Sequence, residues 1–387
     1  MPQVIKRDKF FWTIALQTVV VNFFLGSFGP SQPLLRADQG TSLTIAGLHG
    51  TALGLASIIA GLANPHLAHR FGRSKTGWIG LGIFSTGLVG FVAASAVPIT
   101  IGATLITGFG ISTIINNFMT SMNGHYGKLA PIAVTQANAM ASIGYVSGTL
   151  VVGTIADSYR NLWRFGILLI LPLAAYLFFV MRDKNPEEHV PSEDGPQSGK
   201  LSRAFWLAWV GYVACISSEF ATSFWAAALV IDRTHASPAI STLVIAALST
   251  GMGVGRWYWG KILKGRHLDT QLKFIIALQF LGFLVLWFSH NLLVSFFSLF
   301  VAGLGISSQF ALMSLRLIGL SDHRPDLAIG KSSLAAGIAI GGAPFLLGVL
   351  GDHLGISRAY IMVPVLIAIA FLIVQFVPAH VEENNEL

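Results

Sequence analysis

Residues 64–75 read NPHLAHRFGRSK, a basic stretch between two apolar runs that are each long enough to cross a bilayer. Lys and Arg crowded between spans mark a cytoplasmic loop. The rest of the 387-residue chain repeats the pattern of apolar runs and short polar breaks. Hydrophobic residues make up 53% of it and charged residues 11%, with a mean hydropathy of +0.68. Ordinary soluble domains carry about a quarter charged residues. A helix crossing a hydrocarbon layer of about 30 Å needs about 20 apolar residues. Segments of that order lie at 10–31, 42–63, 76–96, 99–122, 130–156, 163–181, 203–231, 238–262, 270–289, 292–316, 327–351 and 356–377. They lack the alternation of barrel strands, and in lipid their backbone polar groups must pair within the segment. The fold class is therefore an all-α polytopic membrane protein with twelve transmembrane helices.

The positive-inside rule orients it. With a cytoplasmic N-terminus, 18 of the 24 Lys and Arg residues fall inside and five outside, with Arg256 within a span. Both termini are thus expected in the cytoplasm, with the plasma membrane as the location. The isoelectric point near 9.6 follows from this asymmetry and needs no nucleic-acid partner. Eight of the nine Trp residues, all but Trp225, lie near span ends, as in an interfacial aromatic belt. The chain enters its first span directly after Lys6, Arg7 and Lys9, with no small-residue cleavage site of a signal peptide. The single Cys215 permits neither an intramolecular disulfide nor a thiolate metal site.

The longest polar interruption, 182–200, is rich in Pro, Gly and acids and reads as a flexible cytoplasmic linker. It divides the chain into an N-terminal six-helix bundle at 1–181, a linker at 182–202 and a C-terminal six-helix bundle at 203–387. A weak repeat at a shift of about 193–195 joins the halves. Gly72-Arg73 meets Gly265-Arg266, Phe11-Trp12 meets Phe205-Trp206, Gly153 and Asp157 meet Gly348 and Asp352, and Asn116 meets Gln309. Two repeated bundles place a binding cavity between them near the membrane midplane.

His69-Arg70-Phe71-Gly72-Arg73 resembles the loop after the second helix of major facilitator superfamily transporters, Gly-x-x-x-Asp-Arg-x-Gly-Arg-Arg/Lys. Pro65 stands for its first Gly and His69 for its Asp. Residues 123–138 look like that family's turn between spans 4 and 5, and Trp163-Arg164 like its outer pair at span 6. Glu219 with Trp225 is similar to a pattern of the fucose-permease-like branch. The resemblance implies two six-helix bundles around a cavity lined by spans 1, 4, 7 and 10, working by alternating access as a monomer, with no enzymatic activity and no cofactor. In the family the loop Asp latches the cytoplasmic side. His69 would do so more weakly, so Arg70 or Arg73 is expected to pair with Asp326 at the start of span 11. His69, Arg70, Gly72, Arg73 and Asp326 form the expected gating set.

Intramembrane acids are costly and usually mark pathways. Glu219, midway along 203–231, is the expected proton-coupling group, against a purely structural hydrogen bond. Gln17, Asn22, Asn116, Asn117, Asn138, Gln309 and Trp225 form the expected substrate-binding set. Amides donate and accept, which suits hydroxyl-bearing or zwitterionic solutes, and Trp225 offers a ring face to a sugar. Each can equally be interhelical packing. Arg256 is read as snorkelling to the interface or serving the cavity, and His49 as a structural group. The pairs Gly50/Gly54, Gly144/Gly148 and Gly337/Gly341 each share a helix face and are expected where the halves meet.

No nucleotide-binding loop, metal-ligand cluster or nucleophile triad stands out. The sequence reads as a secondary transporter of a small organic solute, proton-coupled symport of a polar or sugar-like substrate being the first reading. Proton-driven efflux of amphipathic compounds is the second. The 27 Phe favour the latter. The resemblance of Gly144-x-x-x-Gly148 to the start of a drug-antiporter motif is incomplete and weakens it, since Thr149 occupies the Pro position and the following double Gly is absent.

Overall fold

A computed structural model describes residues 5–182, 199–263, 265–322 and 324–377. Twelve helices within them are long and apolar enough to cross a membrane: Lys9–Phe28, Leu43–Phe71, Arg73–Ala93, Val97–Phe118, Ile132–Ser158, Arg160–Met181, Arg203–Thr234, Pro238–Ile262, Leu268–Phe288, Leu292–Gly319, Leu327–Leu354 and Ile356–Phe376. These are spans 1 to 12. Twelve crossings bring span 1 in and span 12 out on one face, here the terminal face; the opposite is the distal face. Most of the linker and the tail at 378–387 lie outside the described residues.

The largest departure from expectation is at the opening stretch. Residues 64–71 are no loop: span 2 runs through Pro65 to Phe71, and Gly72, at φ 79°, alone separates it from span 3. Proline is tolerated in membrane helices because neighbouring groups satisfy the freed carbonyl. Gly72 takes the positive φ that L-residues avoid. His69, Arg70 and Arg73 are exposed at this corner, with the Arg70 guanidinium 5.3 Å from the Phe71 ring centre.

Spans 1 and 5 pack closely within the first half. A β-carbon on Gly144 would lie 2.5 Å from the Val19 carbonyl oxygen, and one on Gly148 would lie 2.0 Å from that of Phe23. The Gly144/Gly148 pair therefore faces span 1 and not the other half, contrary to expectation. Gly50, Gly54, Gly337 and Gly341 do join the halves. A β-carbon at Gly54 would sit 2.3 Å from the Gly341 amide nitrogen, and one at Gly50 would sit 2.9 Å from Pro344.

Side-chain anchors fix the ends. Asp38, between spans 1 and 2, accepts from Trp163 Nε1 at 2.8 Å and pairs with Arg164 at 3.4 Å. His49 is buried and bridges the Ala46 carbonyl and Thr100 hydroxyl, the structural role read from sequence. In the second half, buried Arg316 pairs with Asp269 at 2.9 Å, tying spans 9 and 10 at the terminal face.

Asp8 caps span 1: its carboxylate accepts from the Phe11 amide at 2.9 Å, His125 at 2.8 Å and Tyr126 at 3.1 Å. Partial desolvation opposes ionisation here, but these hydrogen bonds outweigh it and hold the carboxyl below its usual value. Burial, with the anion beside it, pushes the Tyr126 hydroxyl up to about 12. A depressed folded pKa means that Asp8 stabilises the protein above the ordinary carboxylate range, and that this contribution fades as pH falls through the folded value. Asp8→Ala is expected to lower the melting temperature in detergent at pH 7 by the equivalent of about 1 kcal/mol, the usual worth of an N-cap. The difference from the parent should shrink below pH 4.

Candidate functional site: a polar junction between the halves

Span 7 carries Glu219 near its middle, one turn from Ser223. The Ser223 hydroxyl donates to the Glu219 carbonyl at 2.7 Å and lies near the Tyr145 hydroxyl of span 5. Three residues before Tyr145, on the same face of span 5, Ser142 accepts from Arg256 Nη1 of span 8 at 3.1 Å and donates to the Asn138 carbonyl at 3.2 Å. Arg256 Nε donates to the Ser307 carbonyl of span 10 at 3.2 Å. The two positions on span 5 thus meet spans 7 and 8 of the other half. A β-carbon on Gly253 would lie 3.1 Å from that of Ser142, so glycine lets span 8 approach here.

Glu219 and Arg256 are both half-buried, and each charge acts on the other. Among the described residues they form no ion pair, and the Glu219 carboxylate accepts no hydrogen bond from the protein. Arg256 is therefore directed into the junction and does not snorkel to the interface.

Four groups expected at the cavity are instead engaged in packing. Trp225 is fully buried, and its Nε1 donates to the Pro344 carbonyl of span 11 at 2.8 Å. Buried Gln309 donates to Gln279 at 2.8 Å and accepts from Cys215; Gln279 donates to Ser218 at 2.9 Å, and Ser218 returns to the Cys215 carbonyl. This ring pins spans 7, 9 and 10 together. Asn117 donates to Asn64 of span 2 at 2.8 Å, and Gln17 is buried against span 3 near Gly77. Asn22, Asn116 and Asn138 remain half-buried. Asn22 donates to the Thr18 carbonyl of its own helix at 2.9 Å. The expected pairing of Arg70 or Arg73 falls on Asp326, whose side chain lies outside the described residues.

On the distal side the halves are sealed. The Asp352 carboxylate at the end of span 11 accepts from the Leu43 and Thr44 amides at 2.9 and 2.8 Å, and so occupies the orphan donors that begin span 2. Thr242 of span 8 donates to the Pro30 carbonyl at 3.2 Å, and the Phe28 and Phe224 rings meet edge to face. The repeat read from sequence reappears in these contacts: Gly348 receives Leu43 as Gly153 receives Leu243. The match stops there, since among the described residues Asp157 makes no bond corresponding to that of Asp352.

A family model described as Major Facilitator Superfamily matches residues 14–325. The chain belongs to that superfamily. Its members are transporters and not enzymes, and its twelve helices make the protein a multi-pass membrane transporter. It is similar in fold to a bacterial homologue of the human lysosomal transporter Spinster in an inward-facing and occupied conformation. That match has a TM-score of 0.75 at 14% identity and covers 97% of each chain. A point mutant of the nucleoside transporter NupG is similar with a TM-score of 0.75 at 11% identity, over 95% of this chain and 98% of that one. The same Spinster homologue in an inward-facing, unoccupied conformation gives 0.69 at 13% identity, over 95% and 96%. No curated protein matches the chain in sequence.

Two features of the contact between the halves had little sequence signal. Tyr145 and Ser142 lie three apart within an ordinary apolar span, and only their shared face hints at a joint role. Asp352 was marked by the repeat alone.

Proposed function

We propose that this superfamily member is a proton-coupled symporter of a small polar solute, acting as a monomer in the plasma membrane with its terminal face in the cytoplasm. The observation that carries this reading is Glu219, a mid-span carboxylate that accepts no hydrogen bond among the described residues and lies within electrostatic reach of Arg256 of span 8 and Tyr145 of span 5. An acid so placed can hold a proton in one access state and release it in the other. In this reading the half-buried Asn22, Asn116 and Asn138 contact solute, while Gln17, Asn117, Gln309 and Trp225 hold the helices that frame it. His69, Arg70, Gly72, Arg73 and Asp326 form the cytoplasmic gating set in this reading. The Lys and Arg asymmetry supports the orientation. The sealed distal side supports a resting state open to the cytoplasm.

The test is reconstitution into liposomes containing a pH-reporting dye, with solutes first screened by thermal stabilisation. Adding a stabilising solute outside, with the outside acid, is expected to acidify the lumen as solute accumulates. Accumulation unaccompanied by proton entry excludes proton symport. Loss of preloaded dye or drug from vesicles under an opposed gradient supports efflux instead.

A further inference from the structure

We infer that the junction between Glu219 and Arg256 is an anion subsite that takes the carboxylate of a monoanionic polar solute, admitted together with one proton. This rests on the proton-coupled reading above and assigns its substrate class. A guanidinium has five N–H donors. The Arg256 fork commits Nε to Ser307 and one Nη1 donor to Ser142, and Nη2 has no protein partner among the described residues. A planar fork with free donors matches a carboxylate in two-point geometry. Glu219 acts on Arg256 through space but, among the described residues, forms no ion pair with it, so it does not occupy the Nη2 donors.

The remaining titratable groups around Glu219 are the Tyr145 hydroxyl from span 5 and Tyr212 and Cys215 on its own helix. None of them carries charge at neutral pH in its ordinary form. The charge balance is therefore set by two groups. With Glu219 ionised the junction is neutral, and an incoming anion adds a net negative charge at mid-membrane. With Glu219 protonated it carries one uncompensated positive charge, which one carboxylate neutralises. Proton and anion thus enter together and the loaded site is neutral. Phosphate monoesters fit less well, because their charge near −2 exceeds what a single guanidinium offsets. Neutral sugars leave the Arg256 charge unanswered.

Purified protein is to be tested with gluconate, lactate and benzoate, each beside its uncharged partner: glucose, lactamide and benzamide. At least one carboxylate is expected to raise the melting temperature while its partner does not. Its affinity should weaken by about tenfold per pH unit above the pH at which Glu219 ionises, the slope of one linked proton. Arg256→Gln should abolish the shift, and Arg256→Lys, which keeps the charge but loses the fork, should retain part of it. Glu219→Gln should bind the carboxylate with no pH dependence. Wild-type and variant melting temperatures without solute control for folding. Stabilisation by none of the three carboxylates, or by a carboxylate equally well in Arg256→Gln, overturns the anion subsite. A neutral solute that carries protons into liposomes independently of Arg256 overturns it while leaving proton symport standing. Carboxylate binding that is Arg256-dependent but indifferent to pH and to Glu219 removes the coupling instead.

Discussion

Glu219→Gln is expected to abolish solute accumulation against a gradient in liposomes with an acid exterior, while exchange of labelled for unlabelled solute at equal pH continues. Gln keeps the size and the hydrogen-bonding capacity of a protonated Glu but cannot release a proton. The variant therefore mimics the proton-loaded site permanently. If Glu219 carries the coupling proton, loaded transporter still alternates, so exchange survives. The empty transporter cannot discharge its proton, so net uptake stops. Because the carboxylate accepts no hydrogen bond among the described residues and Gln matches its size, the substitution breaks no hydrogen bond there, and the melting temperature should stay close to that of the parent. Gradient-driven accumulation at parental levels would exclude Glu219 as the coupling group. Loss of exchange together with accumulation would indicate a structural role.

The number of spans was legible because a bilayer imposes one length on every crossing, and twelve apolar runs of that length are hard to misread. The exit from span 2 was not. Pro65 and the charges around it look like a turn, yet the helix continues to Phe71 because its last turns emerge where exposed His69 and Arg70 meet water. Glu219 stood out by cost alone: a lone acid in an apolar helix has few reasons to exist. The amides did not sort themselves, since each carries the same donors and acceptors wherever it points. Gln309 and Asn117 found partners in Gln279 and Asn64, on other helices. Arg256 was ambiguous for a related reason, as its long stem reaches either the interface or the junction. Glycine spacing likewise gave the face but not the neighbour. Gly144 and Gly148 turned to span 1, whereas Gly50 and Gly54 turned to span 11.

That last contact carries the second large effect. Gly54→Leu is expected to prevent the distal side from closing and so to arrest transport. At Gly54 the backbones of spans 2 and 11 approach so closely that even a methyl group would overlap the Gly341 amide nitrogen and α-carbon, at 2.3 and 2.4 Å. These are backbone atoms, which cannot step aside as a flexible side chain would, and a Leu adds three more carbons. Overpacking of this kind costs about 1–3 kcal/mol when neighbours can adjust. At about 1.4 kcal/mol per factor of ten, the upper end shifts the population of distal-closed molecules by about a hundredfold. Asp352 would then no longer reach the first amides of span 2, so the polar latch fails with the apolar one. Neither half needs to unfold, because the crowding arises only when the halves meet. The readout is a cysteine at Phe28, a side chain buried in the distal seal. Phe28→Cys should resist a membrane-impermeant maleimide in the parent and react readily when combined with Gly54→Leu. Gly54→Ala should fall between them. An unreactive cysteine with transport above half the parental rate in Gly54→Leu would show that closure at this contact is not part of the cycle.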